Sequence, residues 1–94
     1  MITDYVTTSG AVYRTDGSFV KKFSSDRDGS LSMPKESLWG LVGVPQDYVG
    51  NFHKAPEKDV EVGDHLYVRT RNYWWLSTPI VEITEVEAWD SPAS

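Results

Sequence analysis

"LYVRTRNYWWLST", residues 66–78, places two alternating runs on either side of Arg71-Asn72 and sets two tryptophans side by side. In a strand, successive side chains point to opposite faces, so Trp74 and Trp75 cannot both enter one core. If Arg71-Asn72 is a two-residue turn, Thr70 pairs with Tyr73, Arg69 with Trp74 and Val68 with Trp75. Leu66, Val68, Tyr73 and Trp75 then share one face, and Tyr67, Arg69, Trp74 and Leu76 share the other. A slip of one residue would reassign every partner. Asn72 tolerates left-handed φ, which supports a tight turn. One indole is therefore left off the main core. It is either covered by another segment (34–42 or 24–33) or displayed.

Upstream, the Val-Gly-Asp turn in "VEVGD" (60–64) opens this hairpin. After Pro79, "IVEITEVEAW" interleaves Ile80, Ile83, Val86 and Trp89 with Glu82, Glu85 and Glu87. That spacing also partly fits a helix, but Pro79 and the β-branched residues favour a strand, with the glutamates as its wet face. Residues 91–94 read as a frayed tail.

The first 23 residues read as a three-stranded meander with two-residue turns at Ser9-Gly10 and Asp16-Gly17. Asp-Gly between alternating runs is a strong hairpin signal. These turns would align Val6, Tyr13 and Val20 as a core row, with Tyr5, Arg14 and Phe19 on the opposite face. "SSDRDGSLSMP" (24–34) is a loop by composition. "PKESLWGLVG" (34–43) opens with proline and ends in glycine, and its apolar stripe predicts a short helix over 34–42. "VPQDYVGNF" (44–52) repeats that pattern as a single helical turn, so a helical insertion is expected near 34–50. "HKAPEKD" (53–59) is a polar connector.

Ninety-four residues make one domain, here 1–90, with enough surface to bury one core. The absence of cysteine leaves no disulfide or thiolate metal site and suits a reducing cytoplasm. No apolar run approaches the ~20 residues that span a bilayer, and "MITDYVTT" is not a signal peptide. Met1 points to a complete, stand-alone chain. The net charge of −5 is carried by residues 36–94, where ten Asp/Glu face four Lys/Arg; residues 1–35 have four Asp against five Lys/Arg. Such acidity disfavours nucleic acid and anionic membranes as partners.

Signatures of chemistry are sparse. Asp26, Asp28, Gly29 and Leu31 match inner positions of an EF-hand loop, but Ser24 and Lys35 stand where its first and last ligands belong. His53 and His65 have no second metal ligand at usable spacing. There is no cysteine nucleophile, nucleophile elbow or glycine-rich phosphate loop. Neither catalysis, a metal nor a cofactor is expected.

Six short strands in so small a chain favour a closed or partly closed antiparallel barrel, which removes exposed edges. A curled sheet packed on the 34–42 helix is the alternative. "VEVGDHLYVRTRNYWWLSTPIVEI" (60–83) resembles a pattern of small SH3-like β-barrel proteins, including short bacteriophage accessory proteins: a V-x-V-G-D turn, a T-x-N-x-x-W hairpin, and S-T-P before a last strand. An SH3-like or OB-like barrel is therefore expected. The resemblance implies a small binding protein, phage-encoded and acting in a host's cytoplasm or in a virion.

The expected function is non-enzymatic protein binding or self-association through Tyr67, Arg69, Arg71, Tyr73, Trp74 and Trp75. Trp, Tyr and Arg dominate interface hot spots. Two alternatives belong to other classes. Single-stranded nucleic acid could stack on Tyr67 and Trp74 beside the arginines. An acidic face of Glu82, Glu85 and Glu87, extended by Asp90, could instead mimic nucleic acid.

Overall fold

The computed structural model describes residues 1–23 and 34–92. Six strands run β1 (Ile2–Thr7), β2 (Val12–Thr15), β3 (Phe19–Phe23), β4 (Glu36–Val44), β5 (His65–Thr70) and β6 (Trp74–Val86). Each pairs antiparallel with its sequence neighbours, and β6 returns to β1, closing a barrel in simple meander order. An OB-fold is a Greek key, so the OB-like expectation is replaced by this up-and-down order. The EF-hand-like residues 26–31 and the expected loop 24–33 lie outside the described residues.

The expected helix over 34–42 is a strand. Leu38 pairs with Thr70 and Gly40 with Arg69, leaving Trp39 as the extra residue of a β-bulge. The bulge sets the core-facing residues Leu38 and Leu41 three apart, which is helical spacing, and so imitates an amphipathic helix. Gly40 and Gly43 disfavour a helix by roughly 1 kcal/mol each, and Val42 and Val44 favour a sheet. Among the described residues the helical turn is a 3-10 turn at Phe52–Lys54, where the Asn51 side chain accepts the amide of His53 at 2.9 Å. The two strands expected on either side of Pro79 are one, because β6 pairs with β5 up to Pro79 and with β1 from Ile80 onward.

The barrel interior holds Ala11, Tyr13, Val20, Leu66, Val68 and Ile80, with Tyr5, Leu38, Leu41, Val60 and Trp75 packed around them. Register differs from expectation in the first hairpin. Thr7 and Ala11 close a three-residue loop with Gly10 at φ 89°. The loop is one residue longer than expected, so β1 turns over: Tyr5 pairs with Tyr13, and Asp4, not Tyr5, lies beside Arg14. In the second hairpin Gly17 (φ 95°) and Ser18 form the turn, and Tyr13 and Val20 keep the shared inner face.

On the outer side of β1 and β2 lies a fully buried ion pair. Arg14 donates to Asp4 through Nε (2.7 Å) and Nη2 (2.8 Å), and both residues are 0% exposed. Its Nη1 donates to the carbonyls of Trp89 (2.8 Å) and Ser91 (2.6 Å). Residues 91 and 92 are thus held by Arg14 in place of the expected fraying, with the Pro92 carbonyl at 3.5 Å from Nη2.

Candidate aromatic and arginine interface

The β5–β6 hairpin has the expected register: Arg69 opposite Trp74, Val68 opposite Trp75, and the Thr70 amide donating to the Tyr73 carbonyl at 2.7 Å. Asn72 nevertheless keeps a negative φ. Trp75 packs on the core, with Tyr73 stacked on it at 5.6 Å. Trp74 goes to the outer face and is 53% exposed, as is Tyr73.

Four rings gather on that outer face. Trp74 meets Phe52 at 5.2 Å and His53 edge-on at 4.7 Å, and Tyr67 lies 5.4 Å from Phe52 and 6.4 Å from Trp74. The Tyr67 hydroxyl and His53 Nδ1 share a hydrogen bond of 2.5 Å. The 3-10 turn therefore packs against the Trp74 indole, which is 53% exposed among the described residues; the 24–33 segment, the other expected cover, lies outside them. The expected helical turn over 44–52 ends at Phe52 and the expected polar connector begins at His53; the usable signal for keeping the two rings together was the Asn cap of "NFHK", which fixes a helical turn over both.

The bulge in β4 adds Trp39, which is 69% exposed. Together with Tyr67, Arg69, Arg71, Tyr73 and Trp74 it lines a groove of about 220 Å³. Arg69 crosses this surface over β4. Its guanidinium stands 5.6 Å from the Tyr67 ring centre, and a Cβ on Gly40 would come within 2.8 Å of Nη2. Glycine at 40 is what lets the guanidinium lie there. Its carboxylate partner among the described residues is Glu57, at 3.5 Å and with a side chain 77% exposed. That is longer than a strong charge-assisted bond of about 2.7–2.9 Å.

Five of the six expected contact residues, Tyr67, Arg69, Arg71, Tyr73 and Trp74, therefore border one groove; Trp75 supports it from beneath. The expected acidic residues are all exposed but do not share one face of β6. Glu82 pairs opposite Val6 and Glu85 opposite Thr3, which puts them on opposite faces of β6, and Glu87 follows the strand end. The spacing of three between Glu82 and Glu85 is not the period of a strand.

The histidines serve the fold. His65 Nδ1 bonds the Ser77 carbonyl at 2.9 Å, and His53 serves Tyr67. Among the described residues no three His, Asp or Glu side chains converge as a metal site requires, and no helix is long and apolar enough to cross a membrane. A second cleft of about 420 Å³ opens at one barrel end between Met1, Tyr5, Asp16, Leu38 and Trp39. Its carboxylate among the described residues, Asp16, accepts the Ser18 and Phe19 amides at 2.8 and 2.9 Å, which hold it below the usual carboxylate range. No family model matches the chain, and comparison with curated proteins and with solved structures finds no match.

Proposed function

We propose that this barrel is a non-enzymatic protein-binding or assembly module that contacts its partner through the groove between the β4 bulge and the β5–β6 hairpin. One observation carries the reading: Trp39, Tyr73 and Trp74 are each more than half exposed and border the same groove around Arg69 and Arg71. Aromatic anchors with an arginine rim are the composition of an interface centre. At about 220 Å³ the groove is below the ~300–1,000 Å³ of small-molecule sites and suits a side chain of a partner. An SH3-like kinship of the barrel, a phage accessory role and a cytoplasmic or virion setting belong to the same proposal, on the strength of the 60–83 resemblance.

The test is capture from lysate of the source organism, with wild type, Trp39→Ser, Trp74→Ser and the control Val49→Ser, an exposed position outside the groove lining, as baits. Wild type and control retain a common partner, and both tryptophan variants lose it while keeping their circular dichroism. Folded tryptophan variants that retain every partner would refute the site. Light scattering on the same samples separates self-association from capture of another protein.

A further inference from the structure

The groove carries a more specific assignment, which rests on the binding-module reading above. We infer that its partner is an extended acidic peptide segment that seats a large apolar side chain between Trp39 and Trp74 and places a carboxylate on Arg69.

Three features converge on this. First, the guanidinium is held in place before any partner arrives: Tyr67 lies beneath it, and the missing Cβ of Gly40 makes room for it over β4. A donor fork that is already ordered loses less freedom on binding. Second, the chain itself shows what that fork accepts. Glu57 reaches it from the 53–59 connector but stops at 3.5 Å with its side chain mostly in water, so it is a weak internal partner that a better-placed carboxylate can displace. Third, among the described residues the charged groups lining the groove are Arg69 and Arg71, with no carboxylate beside them in its lining. An apolar slot beside two cations, on a protein of net charge −5, selects a ligand with one or two local negative charges. A nucleic acid strand brings a charge with every nucleotide and meets the repulsion of the whole acidic surface.

The experiment is selection from a random-peptide display library on immobilised protein, followed by affinity measurement with the synthesised winners. Selected peptides are expected to carry Asp or Glu next to a large apolar residue. Replacing the peptide's Asp or Glu by Asn or Gln, or introducing Arg69→Gln, weakens binding about tenfold or more. Glu57→Gln removes the internal competitor and strengthens it about two- to fivefold. Gly40→Ala displaces the guanidinium without changing charge and weakens binding in the same direction as Arg69→Gln.

Winners that are neutral or basic, or that are indifferent to Arg69→Gln, overturn the acidic assignment while leaving the groove a protein site. Winners that bind Trp39→Ser and Trp74→Ser as well as wild type overturn the groove itself, and so does a library that yields none. Oligothymidylate binding at low salt that is lost in Arg69→Gln would make phosphate the anion and contradict the peptide assignment. A concentration-dependent dimer abolished by Arg69→Gln would make a second copy of the chain the occupant and contradict it equally.

Discussion

Arg14 is the residue on which the outer side of the barrel depends. Its guanidinium is sealed from water, so its charge is tolerable only because Asp4 neutralises it and backbone carbonyls take its remaining protons. The hydrogen bond to Asp4 raises its pKa further, which keeps it charged. Arg14→Met leaves Asp4 buried without a partner, and urea unfolding should show a loss of about 3–5 kcal/mol. A loss under about 1 kcal/mol, the range of an exposed pair, would mean that the pair is hydrated. Tyr13, inside the barrel, gives a second test. Burial pushes its pKa up to about 12 from 10.0, so the folded state holds its proton where the unfolded chain has released it. Its contribution is whole below pH 10 and is lost as pH rises from about 10 towards 12, at up to about 1.4 kcal/mol per pH unit. Tyr13→Phe should flatten that part of the stability curve; an unchanged alkaline slope in the variant would assign the loss to other groups.

At the scale of elements, β4 decides both the barrel and the groove, through two glycines with different jobs. A Cβ on Gly43 would sit 2.5 Å from the Asp64 carboxylate and 3.2 Å from backbone atoms of Asp59 and Val60, where the chain crosses tightly. On Gly40 the same atom meets only the far end of the Arg69 side chain. Thermal unfolding should therefore show Gly43→Ala destabilised by about 1–3 kcal/mol and Gly40→Ala nearly unchanged. Equal effects would mean that the crossing at Gly43 can relax. The β5–β6 hairpin was legible in the sequence because its turn is two residues long and the pairing next to it, through Tyr67–Leu76, is regular; the register shifts only beyond Tyr67. β4 was not, because a bulge converts alternation into a spacing of three and Pro34 adds a false helix start. The first hairpin was legible as a hairpin only: one extra loop residue reverses the faces of β1, and Ser9-Gly10 does not reveal which residues close the loop. Trp39, which borders the groove, and the Phe52–His53 pair, which packs on Trp74, escaped for the same reason, since each is placed by an irregularity in the chain and not by a repeating pattern.

Over the whole molecule, barrel closure and the proposed interface draw on the same long strand. β6 joins β5 at one end and β1 at the other, and its first residues, Trp74 and Trp75, divide between the outer groove and the packed interior. Barrel order needs only Trp75 inside; the exposure of Trp74, alongside that of Trp39, is surplus to folding and motivates the proposed interface. The division can be read directly from fluorine spectra of protein labelled with 5-fluorotryptophan, with the four resonances assigned by single Trp→Phe variants. Titration with a soluble paramagnetic agent should broaden Trp39 and Trp74 first and leave Trp75 sharp. If Trp74 stays as sharp as Trp75, or Trp75 broadens as readily as Trp74, the two indoles do not part across the strand and the groove described here does not exist.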